Sequence, residues 1–395
     1  MSPSWPTNYD FLAPERIVFG WGRWREVGPL AARLGKRAFI VLGSRTLEKA
    51  GLAAELRQVL REHGVEAVEL ATITAEPTVA DVDTAAERIR EFAPADDDML
   101  IALGGGSAID LAKAAAAMAT NIEGSTVRDY LEGVGRGLQL TARPLGVIAI
   151  PTTAGTGSEA TKNAVISVDS PSVKKSLRGD GMTPRVVIAD AQLTVSLPPS
   201  ITAETGMDAI TQLIESYISR NARPIPQALA AGGLRLALPA IVEAVEDGSS
   251  RSAREAMAHA ALVSGMALAN SGLGMAHGVA AALGAHCGVR HGLACATMLP
   301  VALAANREAS QAELAQLARG ALGLGDVPDA AAADALIERI DEICRRIGVP
   351  RRLSQIGVRA DQIPDLVRDS RGNSMNGNPR SLSDEELTGL LVAQL

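Results

Sequence analysis

The feature that most constrains this chain is a strand-to-helix junction in its first half. Met99, Leu100, Ile101, Ala102 and Leu103 form an apolar run that ends in Gly104-Gly105-Gly106-Ser107, and helix-forming residues follow from Ala108 and Ile109. A short run without polar alternation suits a strand covered on both faces of its sheet. Three successive glycines allow a close backbone approach that side chains would block. The helix start adds unpaired N–H groups at the positive end of its dipole, and phosphates bind in such places. A plain tight turn rarely needs three glycines in a row. We therefore read 104–107 as a phosphate cradle, with Asp110 in the next turn among its candidate residues.

The same texture runs through residues 1–199. Apolar runs at 37–42, 98–103, 144–150 and 186–190 read as strands, and the stretches at 48–63, 79–92 and 109–119 between them read as helices. That alternation predicts parallel βαβ units. After Leu197-Pro198-Pro199 the β-branched runs nearly vanish, and helical spacing takes over at 207–219, 226–247, 253–270, 312–322 and 334–347. The boundary is placed near residue 200, with an α/β domain (1–199, a Rossmann-like parallel sheet) before an all-α domain (200–395).

A second ligand loop follows the strand at 144–150. The run Thr152-Thr153-Ala154-Gly155-Thr156-Gly157-Ser158-Glu159 concentrates hydroxyls and glycines, and Thr152, Thr153, Thr156 and Ser158 are its candidate cofactor contacts. Neither loop fits the GxGxxG fingerprint or the GxxxxGK[ST] loop, so the standard forms of those sites are set aside. The strand at 37–42 ends in Gly43-Ser44-Arg45-Thr46 with no carboxylate. An acidic residue there would hold an adenosine ribose and repel a 2′-phosphate. Its absence, with Ser44, Arg45 and Thr46 as donors, favours NADP over NAD.

Composition narrows the partners. With 47% hydrophobic and 21% charged residues, disorder is excluded as the dominant state. A formal charge of −7 argues against nucleic acid and anionic membranes as partners. No run of about 18–20 uninterrupted apolar residues is present, and the opening residues carry neither a basic nor an apolar leader pattern. Three scattered cysteines, Cys287, Cys295 and Cys344, form no disulfide or zinc spacing, and Cys287 and Cys295 read as small buried residues. Together these features fit a cytoplasmic protein.

In the helical half, His277 and His291 lie fourteen residues apart, each followed by glycine, around an apolar stretch. Asp208, Gln212 and Glu215 share one helix face upstream by their i, i+4, i+7 spacing. A single histidine on an Ala-rich helix is ordinarily a packed core residue; two bracketing such a stretch are less easily read that way. Gly284 and Gly288 are expected to interrupt the helix between them, leaving His286 in a loop.

In order and spacing, GGGSAID, PTTAGTGSEAT, SLPP…TGMDA and HGVAAALG…HG make the chain resemble the iron-containing (group III) alcohol dehydrogenase family, which includes glycerol-dehydrogenase-like and maleylacetate-reductase-like branches. The resemblance runs from Pro14 to Asn378-Pro379-Arg380 and implies a dehydroquinate-synthase-like fold. It places metal ligands, which also serve catalysis, on Asp208, His277 and His291. Gln212 stands where many members carry a histidine ligand and is kept as a weak fourth ligand. Ala281 stands where a proton-carrying histidine is common. Lys174 falls where the family's lysine reaches the cofactor.

The implied reaction is hydride exchange between NADP or NAD and a small aldehyde or ketone, with a divalent metal (Fe2+ or Zn2+) polarising the carbonyl. A homodimer or larger homo-oligomer is implied as well. The alternatives are a dehydroquinate-synthase-like lyase that keeps its NAD, and a metal-free cofactor-binding relative.

Overall fold

A computed structural model describes residues 8–169 and 173–395. The first seven residues of the segment read for a leader, and the side chain of Thr46, lie outside what is described. The chain divides into two compact units, 13–196 and 197–395, the latter joined by the described residues before Ala13. A reciprocal pair of hydrogen bonds fixes that extension: the Leu12 N–H donates to Asn270 Oδ1 at 2.7 Å, and Asn270 Nδ2 donates to the Leu12 carbonyl at 2.8 Å.

The α/β unit contains β1 (Arg16–Phe19), α1 (Val27–Leu34), β2 (Arg37–Leu42), α2 (Arg45–Lys49), α3 (Leu52–Glu62), β3 (Glu66–Thr72), α4 (Val79–Glu91), β4 (Asp98–Gly104), α5 (Gly106–Thr120), β5 (Gly146–Pro151), β6 (Asn163–Val168), β7 (Val173–Arg178) and β8 (Val186–Ala189). Six strands form one parallel sheet in the order β1-β8-β5-β4-β2-β3, and β6 and β7 form a separate antiparallel pair. Successive residues of the central strands bury on opposite faces. Phe39, Val41, Leu100, Ala102, Val147 and Ala149 pack into a core that includes residues of α4 and α5. Ile40, Leu42, Ile101, Leu103, Ile148 and Ile150 pack into a core that includes residues of α1 and α3. Burial on both faces explains why these strands show no polar alternation.

Three features differ from the sequence expectation. The helix expected at 48–63 is two helices, separated at Gly51, whose φ of 80° is left-handed. Helix α5 opens at Gly106 rather than at Ala108, so the last cradle glycine belongs to its first turn. Strands β1 and β3 occupy the sheet edges and, like the β6–β7 pair, carry polar residues that hide them among loops.

The helical unit contains α6 (Pro199–Ile218), α7 (Pro224–Glu246), α8 (Arg251–Ser271), α9 (Met275–Cys287), α10 (His291–Asn306), α11 (Gln311–Leu322), α12 (Asp329–Arg346), α13 (Ile363–Asp369), α14 (Asn373–Asn376) and α15 (Asp384–Val392). Helix α6 is its axis, packed against α7, α8 and α10 and buried almost continuously from Thr202 to Ile218. It begins at Pro199, a residue pre-set for a first helical turn, eight positions before the expected start at 207. By length and composition α7 could cross a membrane, but half of its most apolar window is buried and it packs on α6 and α8. Helix α9 runs straight through Gly284 and ends only at Gly288, which adopts φ 65°. His286 is therefore helical, and its Nε2 lies 2.6 Å from Asp369 Oδ2.

The ends of β2 and β4 meet with no side chain between them. The Gly43 N–H donates to the Leu103 carbonyl at 2.9 Å, and a Cβ on Gly43 would lie 2.6 Å from the Gly104 Cα. Backbone on both sides leaves no flexible group to give way. Gly43→Ala is expected to destabilise the protein by about 1–3 kcal/mol, seen as a lower urea midpoint at unchanged m-value. An unchanged midpoint would mean the two strand ends part without cost.

Candidate functional site

In the α/β unit, β2 connects outward to β3 on one side while β4 and β5 build the other, so strand order reverses between β2 and β4. Open parallel sheets bind ligands outside the carboxyl ends of strands at such a switch point. Gly43 and Ser44 follow β2 there, and Gly104, Gly105, Gly106 and Ser107 follow or end β4. The loop after β5 closes against them. A Cβ on Gly105 would stand 3.2 Å from Thr153 Oγ1, and one on Gly106 would stand 2.6 Å from Thr156 Oγ1. The Thr152 N–H donates to the Gly104 carbonyl at 3.0 Å. Both glycine-rich segments and the first turn of α5 thus converge, giving unpaired helix N–H groups beside threonine hydroxyls.

Two candidate side chains, Asp110 and Lys174, are paired within the protein. Asp110 accepts from the Val165 N–H at 3.0 Å and pairs with Lys113 Nζ at 3.1 Å, which turns its carboxylate toward the β6–β7 pair. Lys174 donates to Glu76 at 2.7 Å. Ser158 is buried, and its carbonyl accepts from Lys113 Nζ at 2.8 Å.

Lys113 was not singled out from the sequence. It is fully buried within α5 and donates to the Ser158 carbonyl, Thr161 Oγ1 and the Asn163 carbonyl, so one ammonium ties the cradle helix to the second loop. The sequence signal was a lone lysine in an alanine run, three residues after an aspartate. Glu159 is buried nearby, and burial pushes its carboxyl up to about 7 against the opposing pull of Lys113.

In the helical unit, three helices bring four donors together. Asp208 on α6, His277 on α9, and His291 and Cys295 on α10 each offer one ligand atom, all within 4.8 Å of one another. His277 Nε2 lies 3.2 Å from Asp208 Oδ1, and His291 Nε2 lies 3.8 Å from the same oxygen. Asp208, His277 and Cys295 are buried, while the His291 side chain is 35% exposed. Burial works against the Asp208 carboxylate, yet the charge of His291 and the hydrogen bond of His277 hold it below its usual range. Burial likewise opposes the His277 imidazolium, but Cys295, Asp208 and Glu215 raise it well above the usual value. The neighbouring Cys295 leads the rise of His291 to about 9, with burial opposing. A carboxylate, two imidazoles and a thiol at this spacing could hold a divalent metal.

Glu215 orients this set. Its carboxylate accepts from His277 Nδ1 at 2.7 Å and from the N–H groups of Gly274 and Ala276 at 3.0 and 2.7 Å, capping α9 as it does so. Nδ1 is thereby committed, and Nε2 is the nitrogen left to face Asp208. The amide of Gln212 lies beside this set. Its Oε1 accepts from Ser264 Oγ at 2.6 Å, and its Nε2 donates to Asp208 Oδ1 at 3.3 Å. The amide oxygen is directed at α8, and the amide nitrogen at the carboxylate.

The Glu159 shift carries a pH dependence. Its folded value lies above the ordinary 4.5, so between those two values the folded protein holds a proton that the unfolded chain has lost. Stability contributed by the neutral acid is complete below about 4.5 and declines as pH rises toward 7. Glu159→Gln is expected to stabilise the protein at pH 8 by about 1–3 kcal/mol and to change little at pH 4.5. Equal effects at both pH values would refute a buried, proton-binding Glu159.

The sequence model described as iron-containing alcohol dehydrogenase matches residues 14–191, and that of the family's C-terminal domain matches residues 202–395. Long-chain-alcohol dehydrogenase 1 of Geobacillus thermodenitrificans is 33% identical, over 91% of each chain. NAD-dependent methanol dehydrogenase of Bacillus methanolicus is 31% identical, over 97% of this chain and 98% of its own. The crystal structure of a 1,3-propanediol oxidoreductase superposes with a TM-score of 0.91 at 31% identity, covering 98% of this chain and 100% of its own. The chain belongs to the iron-containing alcohol dehydrogenase family.

Proposed function

We propose that this enzyme interconverts a small alcohol and its aldehyde or ketone, with a divalent metal on Asp208, His277 and His291 and NAD(P) in the cradle after β2, β4 and β5. The observation that carries the reading is the convergence of one carboxylate and two imidazoles from three separate helices, with their donor atoms within 4.8 Å. When bound, a divalent metal supplies Lewis-acid polarisation of the carbonyl, and the nicotinamide supplies or accepts the hydride.

The chain's own residues prepare that chemistry. Glu215 holds the His277 ring so that Nε2 faces the cluster. Gln212 donates to Asp208 and so orients the carboxylate as a neighbour. The half-exposed His291 leaves the donor set open to solvent on one side. In the other unit, the first turn of α5 and the hydroxyls of Thr153 and Thr156 would hold the pyrophosphate, and Lys113 keeps the two loops in register. Asp110 and Lys174 act through the protein rather than on the cofactor, since each is already paired. Ala281 offers no proton carrier, so proton delivery falls to water or to a ribose hydroxyl.

The cofactor preference we propose is NADP. No carboxylate follows β2, and Ser44 and the exposed Arg45 stand at the start of α2 where a 2′-phosphate would lie. Three unpaired cysteines among the described residues fit a reducing compartment, and we assign a cytoplasmic homo-oligomer on that basis and on the resemblance.

Asp208→Ala and His277→Ala are expected to abolish metal-dependent reduction of short aldehydes while NADPH binding, read by fluorescence, stays within about twofold. Loss of NADPH binding in these variants would mean that the roles of the two units are misassigned. In the wild type kcat/KM should be higher with NADPH than with NADH, and Ser44→Asp should reverse the order. A wild-type preference for NADH would remove the assignment to Ser44 and Arg45.

A further inference from the structure

Cys295 belongs to the apolar core shared by α9 and α10 and is fully buried, yet its sulfur is not spent on packing alone. His291 and Cys295 are one helical turn apart on α10, a spacing that points two side chains at the same spot. Sγ lies 3.6 Å from His291 Nε2 and within 4.8 Å of the donor atoms of Asp208 and His277. Bond lengths of about 2.3 Å to sulfur and 2.0–2.1 Å to nitrogen or oxygen give a tetrahedron with edges of roughly 3.3–3.6 Å. The observed separations of 3.2 Å (Asp208 to His277), 3.6 Å (His291 to Cys295) and 3.8 Å (Asp208 to His291) bracket those edges.

We propose that the Cys295 thiolate is a fourth protein ligand, completing an Asp208, His277, His291 and Cys295 site that selects zinc over iron(II). This rests on the metal reading above and specifies its chemistry. The amide of Gln212 does not compete for the position, because its oxygen is held by Ser264 and its nitrogen is directed at Asp208. Loading the site transfers the thiol proton to solvent and forms a metal–sulfur bond in its place. One soft thiolate among harder donors biases the set toward zinc, which accepts mixed nitrogen, oxygen and sulfur ligands in a tetrahedron. Four protein ligands would fill a tetrahedral set, so a substrate oxygen would have to enter as a fifth donor, which zinc tolerates.

The test loads the full-length, chelator-treated protein with Co2+ and records its near-ultraviolet spectrum. A sulfur-to-cobalt charge-transfer band is expected in the wild type, absent in Cys295→Ser and Cys295→Ala and retained in Cys287→Ser. Zinc affinity in a competition with a chromophoric chelator should fall by at least about tenfold in Cys295→Ser, with far-ultraviolet dichroism confirming that the variant is folded. Cobalt bound with no charge-transfer band, or a band that survives Cys295→Ser, overturns the thiolate while leaving the metal on Asp208, His277 and His291. Cobalt that fails to bind the wild type, or that binds Asp208→Ala equally well, removes the metal reading itself and the thiolate with it.

Discussion

A carboxylate cannot sit at the middle of a fully buried helix unless cations or donors are arranged around it. Helix α6 carries two such carboxylates on one face, Asp208 and Glu215, and much of the helical unit is organised to meet their requirement. Glu215 is met by the start of α9, whose N–H groups and His277 ring close on it. Asp208 is met by His277, by His291 from α10 and by the amide of Gln212. Each partner comes from a different element or a different turn, so satisfying two anions fixes the positions of α9 and α10 against α6. The packing that stabilises the unit and the geometry that gathers metal donors are the same packing.

The two units divide the chemistry along a physical line. In the proposed reading, phosphate recognition in the α/β unit falls largely to backbone: glycines that let β2 and β4 touch, and N–H groups at the start of α5. Its side chains mostly work behind the loops, as Lys113, Asp110 and Glu159 do. The proposed metal site in the helical unit is built from side chains, because helices have already paired their backbone groups except at their ends. A single substitution therefore changes the ligand set of the second site, as Gln212 illustrates, whereas the first depends on the absence of side chains.

That division also governs what was legible in the sequence. Central strands covered on both faces, and glycines at their ends, leave local signals, so β2, β4, β5 and the cradle were readable in place. Edge strands β1 and β3 and the β6–β7 pair alternate or carry charge, and local pattern does not separate them from loops. In the helical unit, spacing found Asp208, Gln212 and Glu215 on one face but said nothing of partners. Gln212 was placed by its position in a family pattern, and only packing reveals that Ser264 holds its oxygen. Asp110 and Lys174 illustrate the same limit: position was readable, engagement with Lys113 and Glu76 was not. Cys295 was passed over because a buried cysteine among alanines has the composition of core; its separation of one turn from His291 was the available signal.

The Gln212 amide shows why a lost ligand need not dismantle a site. An imidazole in its place would present one nitrogen to the cluster, whereas the amide splits its two ends between Ser264 on α8 and Asp208. Asp208 thereby keeps an oriented hydrogen bond, and no buried polar atom of that chain of contacts faces hydrocarbon. The vacancy in ligand number is then an electronic matter rather than a structural one, to be met by whichever donor α10 already presents. Because α10 must approach α6 closely enough for His291 to reach Asp208, a residue one turn further along the same helix face is carried within reach by the same approach. Ligand identity at this place is consequently free to change while the helix packing that positions it stays fixed.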